Sequence, residues 1–172
     1  MEKSYDPGWG GSPIDMGVAP ANPDGSFTSN GLDVTTCYGI HFDPFDKSHF
    51  FISYTDIGLF HTFSGGRSWI HSISDIPGSW QNTCYDVEFD PSAKGRGWSV
   101  WANAHDLPRD KMFGDRGFGN FEGGVAVSDD AGLTWEKSNA GIPENSICTN
   151  IRRSSTSVAG RALWTGMILT EG

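Results

Sequence analysis

Apolar and polar residues alternate in short runs along this chain, and such runs predict β-strands. Residues 36–42 alternate toward an Asp-Pro turn, residues 49–54 and 58–63 form two further runs, and Trp69 opens a fourth. Alternation with a period of two places every second side chain on the same face of a strand. Over ten residues or more, no segment carries apolar residues at the 3.6-residue spacing of an amphipathic helix. The pattern therefore predicts an all-β fold.

The same order of runs occurs a second time, which indicates an internal repeat. Residues 37–44 read CYGIHFDP, and residues 84–91, 47 positions later, read CYDVEFDP. The second copy continues through four predicted strands, at residues 83–89, 98–103, 124–127 and 134–137. Cys148 begins a weaker third copy. Short, evenly spaced strands with one turn motif per unit are typical of four-stranded antiparallel blades of a β-propeller.

One turn in each copy has the composition S-x-D-x-G-x-T-W, known as an Asp-box. Residues 128–135 read SDDAGLTW, and residues 62–69 read TFSGGRSW, a degenerate form with serine in place of the aspartate. The carboxylate can accept backbone N–H groups across a tight hairpin, the glycine supplies a positive φ, and the tryptophan buries a large ring. We expect structural roles for Ser128, Asp130, Gly132, Thr134 and Trp135, and for Thr62, Ser64, Gly66, Ser68 and Trp69.

The repeat divides the chain into two complete blades and two partial ones. We expect a truncated first blade and linker over 1–35, a complete blade over 36–80, a complete blade with a long insertion over 81–145, and the start of a further blade over 146–172. A closed propeller usually needs at least four blades, so the sequence looks like a fragment of a longer protein. Uncovered sheet faces and edges favour association, and we expect the isolated chain to self-associate.

Composition excludes several classes of partner. The formal net charge of −9 over 172 residues argues against binding to nucleic acid or to an anionic membrane surface. No apolar run reaches 18 residues, so no membrane insertion is expected. The first residues, MEKSYDP, lack the apolar core of a signal peptide, so either the protein is cytosolic or a segment with an export signal is missing. For the parent protein we expect secretion or a periplasmic location.

The cysteines and histidines do not form a metal motif. The three cysteines lack CxxC spacing, and we expect each to be a small buried residue at the same strand position. The five histidines are spread over different strand positions, so neither a metal site nor a cofactor is expected.

The Asp-box turns and Asp-Pro turns together resemble the bacterial neuraminidase repeat (BNR) propellers, which include sialidases and glycoside hydrolase family 74. Residues 53–60, SYTDIGLF, are similar to the RTDIGGAYR stretch of family 74 xyloglucanases, in which the aspartate is one of two catalytic carboxylates. Asp56 stands at that position. The resemblance implies hydrolysis of O-glycosidic bonds in a β-glucan-type polysaccharide. A sialidase is disfavoured, because its arginine triad and Arg-Ile-Pro motif have no counterpart here.

Two departures from the family leave other interpretations open. Tyr54 replaces the arginine of the family stretch, and the partner carboxylate of the family comes from a second propeller that this chain lacks. Thr-Asp-x-Gly is also the ordinary composition of a tight turn, in which Asp56 serves backbone geometry alone. The alternative function is therefore a non-catalytic propeller that serves as a protein- or glycan-binding module.

A long insertion distinguishes the second blade from the first. Residues 104–121 separate its second and third strands, whereas residues 55–58 suffice in the first blade. Long loops on a rigid scaffold commonly carry function, and this loop class lies on the face of Asp56. The substrate-binding residues that we predict are His105, Asp106, Arg109, Lys111, Trp80, Tyr38 and Tyr85, with Phe113, Phe118 and Phe121 as further candidates for stacking on sugars. The alternative is a decorative loop whose aromatic rings pack back onto the blade.

Overall fold

A computed structural model describes residues 23–24, 26, 35–105, 121–143, 146–153 and 162–164. The strands in these ranges are β1 Cys37–Phe42, β2 Phe50–Tyr54, β3 Leu59–Thr62, β4 Ile70–His71, β5 Thr83–Phe89, β6 Gly97–Ala102, β7 Gly123–Ser128, β8 Glu136–Lys137, β9 Ile151–Arg153 and β10 Ala162–Trp164. The helical structure within the same ranges is a single 3-10 turn at Gly78–Trp80. The all-β prediction is confirmed.

The strands form antiparallel sheets in which sequence neighbours pair. The first sheet has the order β1-β2-β3-β4, and the second has the order β5-β6-β7-β8. β9 and β10 pair as a third, two-stranded sheet. The predicted runs of alternating residues thus become strands in the predicted order. The fourth strands, β4 and β8, are only two residues long, because the residues just before them belong to the tight turns at 63–69 and 129–135.

Two apolar cores hold the three sheets together. The core between the first and second sheets includes Phe51, Leu59, Val87, Trp101 and Trp135. The core between the second sheet and β9 includes Tyr85, Trp98, Val100, Ile147 and Ile151. Both faces of the second sheet are therefore covered. This explains why β5, β6 and β7 are buried over most of their length, as in a sheet packed on both sides.

The first strands of the first two sheets, β1 and β5, share an irregularity. The register shifts between Cys37 and Gly39 in β1, and at the repeat-equivalent point between Cys84 and Asp86 in β5. A bulge of this kind redirects one side chain of the strand. The residue that the register skips is Tyr38 in β1 and Tyr85 in β5, and the residue after it is Gly39 in β1 and Asp86 in β5.

Asp86 ties together three consecutive sheets. One carboxylate oxygen accepts the Val87 N–H at 3.0 Å and lies 3.6 Å from His41 Nδ1 of the first sheet. The other oxygen accepts the Ile151 N–H at 3.3 Å and pairs with the guanidinium of Arg152 in β9. Because this carboxylate is nearly buried, its full set of partners is needed to offset desolvation.

The turn at residues 129–135 packs directly on the first sheet. Trp135 Nε1–H donates to Ser72 Oγ at 3.0 Å, and the Ser72 hydroxyl donates to the Gly132 carbonyl at 2.6 Å. Gly132 has φ +82°, and a Cβ at this position would lie 2.3 Å from Cζ of Phe51. Glycine is therefore required twice here, once for the backbone angle and once for the close approach of the Phe51 ring.

Gly132→Ala tests this close approach. We expect a loss of about 3 kcal/mol in the free energy of unfolding, because the new methyl group meets a buried ring and the backbone is held at positive φ. Gly66→Ala is the matched control, since Gly66 occupies the same motif position with φ +91° and its Cβ would make only ordinary contacts at 3.7 Å or more. The control should lose about 1 kcal/mol. Equal losses in urea denaturation would contradict the packing argument.

Buried histidines lie inside and beside the contact between the first two sheets. His61 is fully buried, and its ring stacks on Phe51 with an interplanar angle of 10°. Its Nδ1 lies 3.4 Å from Nε2 of His49, whose Nδ1 is 2.8 Å from the Asp43 carboxylate. Burial, with a smaller contribution from His49, lowers the pKa of His61 to about 4. Burial likewise lowers the pKa of His71 to about 4.

These two pKa values predict that stability falls on acidification. Their folded pKa lies below the ordinary 6.5, so stability is fully present above pH 6.5 and is lost as the pH falls toward 4, because the unfolded chain binds the protons first. By about pH 5 each histidine should account for a loss of about 2 kcal/mol. His61→Gln and His71→Gln should each reduce the difference between the free energies of unfolding at about pH 7.5 and about pH 5, measured by urea denaturation, by about 2 kcal/mol. An unchanged difference in both variants would contradict this assignment.

Candidate functional site

The turns of the sheets fall at two opposite ends. Because each sheet is an antiparallel meander, the turn after β2, the residues that lead into β5 and the turn after β6 meet at one end. A parallel bridge between Gly58 and Thr83 joins the first two directly. We name this end, formed by residues 55–58, 81–83 and 103–105, the loop face. The turns at 63–69 and 129–135 leave the opposite ends of β3 and β7, and we name them the Asp-box face.

Asp56 lies in the tight turn of the loop face. Tyr54 N–H donates to the Gly58 carbonyl at 2.8 Å and closes the turn. Asp56 itself has φ 65°, in the left-handed region that residues other than glycine seldom adopt. Gly58 follows with φ +72°, and a Cβ there would lie 3.0 Å from the Gln81 carbonyl oxygen. The first blade is thus held tightly against the segment that leads into the second.

Neutral side chains surround the Asp56 carboxylate. The Thr55 hydroxyl donates to Oδ2 at 3.1 Å. The Thr35 hydroxyl donates to the Thr55 carbonyl at 3.0 Å and lies 3.5 Å from the same Asp56 oxygen. Asn82 Nδ2–H donates to Oδ1 at 3.4 Å. The Thr83 hydroxyl donates to Asn82 Oδ1 at 2.8 Å, which turns the amide nitrogen of Asn82 toward Asp56. The carboxylate is therefore held in one orientation at a partly exposed position.

Thr35 and Asn82 were missed by the sequence analysis, although the repeat contains a signal for them. Asn82 lies 47 residues after Thr35. The two are therefore equivalent positions of the repeat, just before β5 and β1. The sequence shows this equivalence. It does not show that both positions converge on one turn, because that depends on how the two sheets pack.

Tyr38 and Tyr85 form an aromatic pair near the loop face. Their ring centroids are 4.8 Å apart, and Tyr38 remains 36% exposed. Tyr85 is buried, and its hydroxyl donates to the Ala104 carbonyl at 2.9 Å. Of the two predicted binding residues, Tyr38 therefore has an accessible ring. Tyr85 supports that ring and braces the start of the long loop.

The structure is at odds with the substrate contact predicted for Trp80. Its side chain is only 4% exposed and belongs to the core between the first two sheets, with Lys137 Nζ 5.2 Å from the ring centroid. A ring buried to this degree cannot stack on a sugar. The 3-10 turn at Gly78–Trp80 carries the ring inward.

The long loop is described only at its two ends. His105 is half-buried after β6, whereas Asp106, Arg109, Lys111, Phe113 and Phe118 lie outside the described residues. Phe121 is fully buried in the core between the second sheet and β9. At this one position the ring packs back onto the blade, which was the alternative to sugar stacking.

The Asp130 carboxylate accepts hydrogen bonds from residues of its own turn. It accepts the Thr134 N–H at 2.9 Å, the Thr134 hydroxyl at 2.6 Å and the Ser128 hydroxyl at 2.8 Å. Gly132 N–H donates to Ser128 Oγ at 2.9 Å. Burial would raise the pKa of Asp130, but the hydrogen bonds from Thr134 and Ser128 outweigh it, and the pKa lies below its ordinary value.

The turn of the first blade replaces the carboxylate with hydroxyls. Ser64 Oγ accepts the Ser68 N–H at 2.9 Å, the bond that Asp130 makes with Thr134. Thr62 Oγ1 accepts the N–H groups of Ser64 and Gly66 at 3.1 and 3.0 Å. Ser128 Oγ accepts the equivalent two N–H groups in the second turn, so the two turns differ in the acceptor of the third N–H, which is the Asp130 carboxylate in one and the Ser64 hydroxyl in the other. Trp69 follows this turn, and its ring meets Phe50 edge to face at 5.5 Å.

Within the part of the chain that the structure describes, no three His, Cys, Asp or Glu side chains lie close enough to hold a metal ion. Over the same residues, no helix has the length and apolar character needed to cross a membrane. Cys84 and Cys148 are buried as expected, but Cys37 is exposed. The prediction for Cys37 was wrong because nothing described packs on that side of β1.

Comparisons with known proteins bear on the fold. No protein-family model and no curated protein matches the sequence. Among solved structures, the chain is similar to an ancestral GH74 enzyme, with a TM-score of 0.58 and 14% sequence identity over 81% of this chain. The GH74 xyloglucanase from Xanthomonas campestris matches with a TM-score of 0.47 and 16% identity over 75% of this chain. This chain covers 17% and 18% of their lengths. The likeness to the first shows the fold, a partial β-propeller of four-stranded antiparallel sheets.

Replacing the aspartate of the second Asp-box turn tests how much its hydrogen bonds contribute. We expect Asp130→Ala to lower the free energy of unfolding by about 2 kcal/mol, because the Thr134 N–H and hydroxyl lose their acceptor. Asp129→Ala is the matched control, since Asp129 is exposed and pairs with Arg96 on the surface. Its loss should stay within about 1 kcal/mol. Similar losses for both variants in urea denaturation would show that the turn does not depend on Asp130.

Proposed function

We propose that this chain is part of a carbohydrate-active β-propeller whose loop face binds a β-glucan-type polysaccharide. We further propose that Asp56 is one carboxylate of the pair that hydrolyses the O-glycosidic bonds of this polysaccharide. The proposal rests on the way in which the side chain of Asp56 is bound, compared with the other turn aspartates of the chain.

Turn aspartates with a structural role accept backbone N–H groups of their own turn. Asp43 accepts the Phe45 N–H at 2.7 Å, Asp46 accepts the Ser48 N–H at 2.9 Å, and Asp90 accepts the Ser92 N–H at 2.8 Å. Asp130 does the same with Thr134. This is the ordinary Asx-turn interaction, in which the carboxylate completes local backbone geometry.

Asp56 is bound in a different way. The hydrogen bonds at its carboxylate come from the side chains of Thr55 and Asn82, and the Thr35 hydroxyl lies 3.5 Å away. Asn82 belongs to another segment, 26 positions away in the sequence. A carboxylate that only shaped its own turn would not need a donor from the segment that leads into the next sheet. Orientation by surrounding side chains is what a reacting group requires, which supports a functional role.

The environment suits a neutral glycan. Tyr38, whose ring is accessible, lies two residues after Thr36. The Thr36 carbonyl accepts the Thr55 N–H at 3.0 Å, so the Tyr38 ring and the Asp56 turn belong to one surface. Aromatic faces pack on the apolar faces of sugars, and the polar groups beside them fix orientation. The net charge of −9 disfavours an acidic polysaccharide.

Hydrolysis needs a second carboxylate. Glycosidases place an acid and a base or nucleophile about 5–9.5 Å apart, on either side of the scissile bond. The groups that contact Asp56 here are neutral, and the resemblance to family 74 implies a partner from a second propeller. We therefore propose that Asp56 contributes one half of the reaction, and that other residues of the active protein contribute the second half.

The second candidate function is a non-catalytic module that binds glycan or protein through the same face. The neutral surroundings of Asp56 favour it, because they provide orientation without an acid–base partner. Measuring binding and hydrolysis on the same sample distinguishes the two functions.

Titration of the chain with xyloglucan and cello-oligosaccharides, followed by amide chemical shifts and calorimetry, tests binding. We expect shifts at Tyr38, Asp56 and Asn82, and we expect Asp56→Asn to weaken binding about tenfold, because a charged acceptor becomes neutral at constant shape. Asp129→Asn is the control, with the same change of charge on the Asp-box face. Binding that is equally affected by both variants, or absent in the wild type, would rule out this site.

Release of reducing sugar from the same oligosaccharides tests chemistry. In any form of the protein that hydrolyses them, Asp56→Asn should lower kcat about 10²–10⁴-fold, which is the usual contribution of an acid–base group. Unchanged hydrolysis would remove Asp56 from the reaction. Binding that depends on Asp56, without hydrolysis, would favour the non-catalytic module.

A further inference from the structure

A histidine of the first sheet binds the backbone of the turn that carries Asp56. His71, in β4, donates from Nε2–H to the Ile57 carbonyl at 3.0 Å. A carbonyl oxygen can only accept, so Nε2 carries the proton of the neutral ring. The imidazole therefore holds the peptide group that follows Ile57, one residue after Asp56. It contacts the turn at a point away from the carboxylate.

The ring of His71 is fixed in orientation. His71 pairs with Phe60 across β3 and β4, and the two rings stack with centroids 4.5 Å apart and an interplanar angle of 15°. Phe60 in turn packs against Ile57, which is fully buried. One small cluster thus holds both the donor and the acceptor of the bond. Because the ring is already ordered by stacking, the bond to the turn costs little additional side-chain entropy.

Other hydrogen bonds hold the beginning of the same turn. The Thr55 N–H donates to the Thr36 carbonyl at 3.0 Å, and the Thr35 hydroxyl donates to the Thr55 carbonyl at 3.0 Å. The Thr55 carbonyl also accepts the Ile57 N–H at 2.8 Å. The segment before β1 therefore anchors the residue before the aspartate, and His71 anchors the residue after it.

Asp56 needs anchors on both sides because of its backbone conformation. Its φ of 65° lies in the left-handed region, which makes this conformation about tenfold less populated for a residue with a Cβ. Such conformations persist only where the surrounding structure enforces them, and they are concentrated at functional sites. Without a donor, the Ile57 carbonyl could rotate toward water and the turn could relax to negative φ. The carboxylate would then leave its position beside Asn82.

We propose that His71 is a positioning residue for the Asp56 site. Its Nε2–H holds the Ile57 carbonyl, and the held carbonyl keeps the turn in the conformation that presents the carboxylate to a ligand. His71 acts through this backbone group and not through contact with reacting atoms. The inference rests on the proposed function for the identity of the ligand, a β-glucan-type polysaccharide. The effect of His71 on the turn can be measured without any ligand.

Two substitutions separate the hydrogen bond from the ring. His71→Phe keeps a flat ring against Phe60 and removes the donor, whereas His71→Gln removes the ring and keeps an N–H donor at a similar reach. His61→Phe is the matched control, because His61 is a buried histidine of the same sheet that stacks on Phe51 beside the second Asp-box turn. Urea denaturation verifies that each variant folds, and His71→Leu replaces His71→Phe if that variant does not.

Amide hydrogen exchange measures the hold on the turn. The reporters are the N–H groups of Tyr54 and Ile57, which are bonded across the turn, and their rates are taken relative to those of β6, which report global unfolding. We expect relative rates about tenfold faster in His71→Phe. They should stay within about threefold of the wild type in His71→Gln and His61→Phe. Wild-type rates in His71→Phe, or equal acceleration in His61→Phe, would overturn the proposal.

Calorimetric titration with xyloglucan and cello-oligosaccharides tests the consequence for binding. His71→Phe should weaken binding about tenfold, and His71→Gln should keep it within about threefold of the wild type. Binding by His71→Phe at wild-type strength, or by His71→Gln as weakly as by His71→Phe, overturns the positioning role. A wild type that binds none of these glycans contradicts the proposed function alone, and the exchange rates then decide whether His71 holds the turn.

A double-mutant cycle with Asp56→Asn shows whether His71 acts through the carboxylate. If it does, adding His71→Phe to Asp56→Asn should weaken binding by less than about threefold, because the charge that His71 positions is already absent. A residue with only a general structural role would weaken binding by the same factor in both backgrounds. A full tenfold further loss in the Asp56→Asn background would therefore overturn the proposal.

Discussion

The contact between the ring of Phe51 and the backbone of Gly132 fixes how the first two sheets meet. The ring occupies the space in which any side chain at Gly132 would lie, and Ser72 and Trp135 lock the same turn with hydrogen bonds. Side chains from successive sheets can converge on Asp56 only because the sheets are held this closely. Close packing at one end of the molecule thus determines the geometry at the other end.

The chain uses aspartate in its turns for two different purposes. Asp43, Asp90 and Asp130 complete the backbone of their own turns, and Ser64 shows that a hydroxyl can replace the carboxylate in that role. Asp56 accepts hydrogen bonds from the side chains of Thr55 and of Asn82, which belongs to another segment, and adopts a left-handed backbone conformation. Asx-type turns are common and say little about function, whereas a carboxylate held by distant donors is unusual for a turn. This contrast favours a role in ligand binding for Asp56 more strongly than its surrounding sequence does.

The sequence was sufficient for the strands, because alternation and the 47-residue repeat are local signals. It was not sufficient for Trp80, which we predicted to bind substrate but which a 3-10 turn carries into the core. It also did not reveal Thr35 and Asn82 as a pair around Asp56. Both failures have the same cause, since burial and convergence depend on packing between sheets, which no local pattern records. The burial predicted for Cys37 was wrong for a different reason, because the repeat predicts burial only where a neighbouring sheet is present.

One strand carries both an outward apolar side and the Asp56 turn. β2 places Phe50, Ile52 and Tyr54 on its side away from the second sheet and ends directly before Thr55 and Asp56. Tyr54 closes the turn through its N–H bond to Gly58, while its ring lies beside Phe60 on the same side of the sheet. Tyr54 therefore connects the packing of the first sheet to the turn that carries Asp56, so a change in that packing would reach Asp56 through the backbone of the turn.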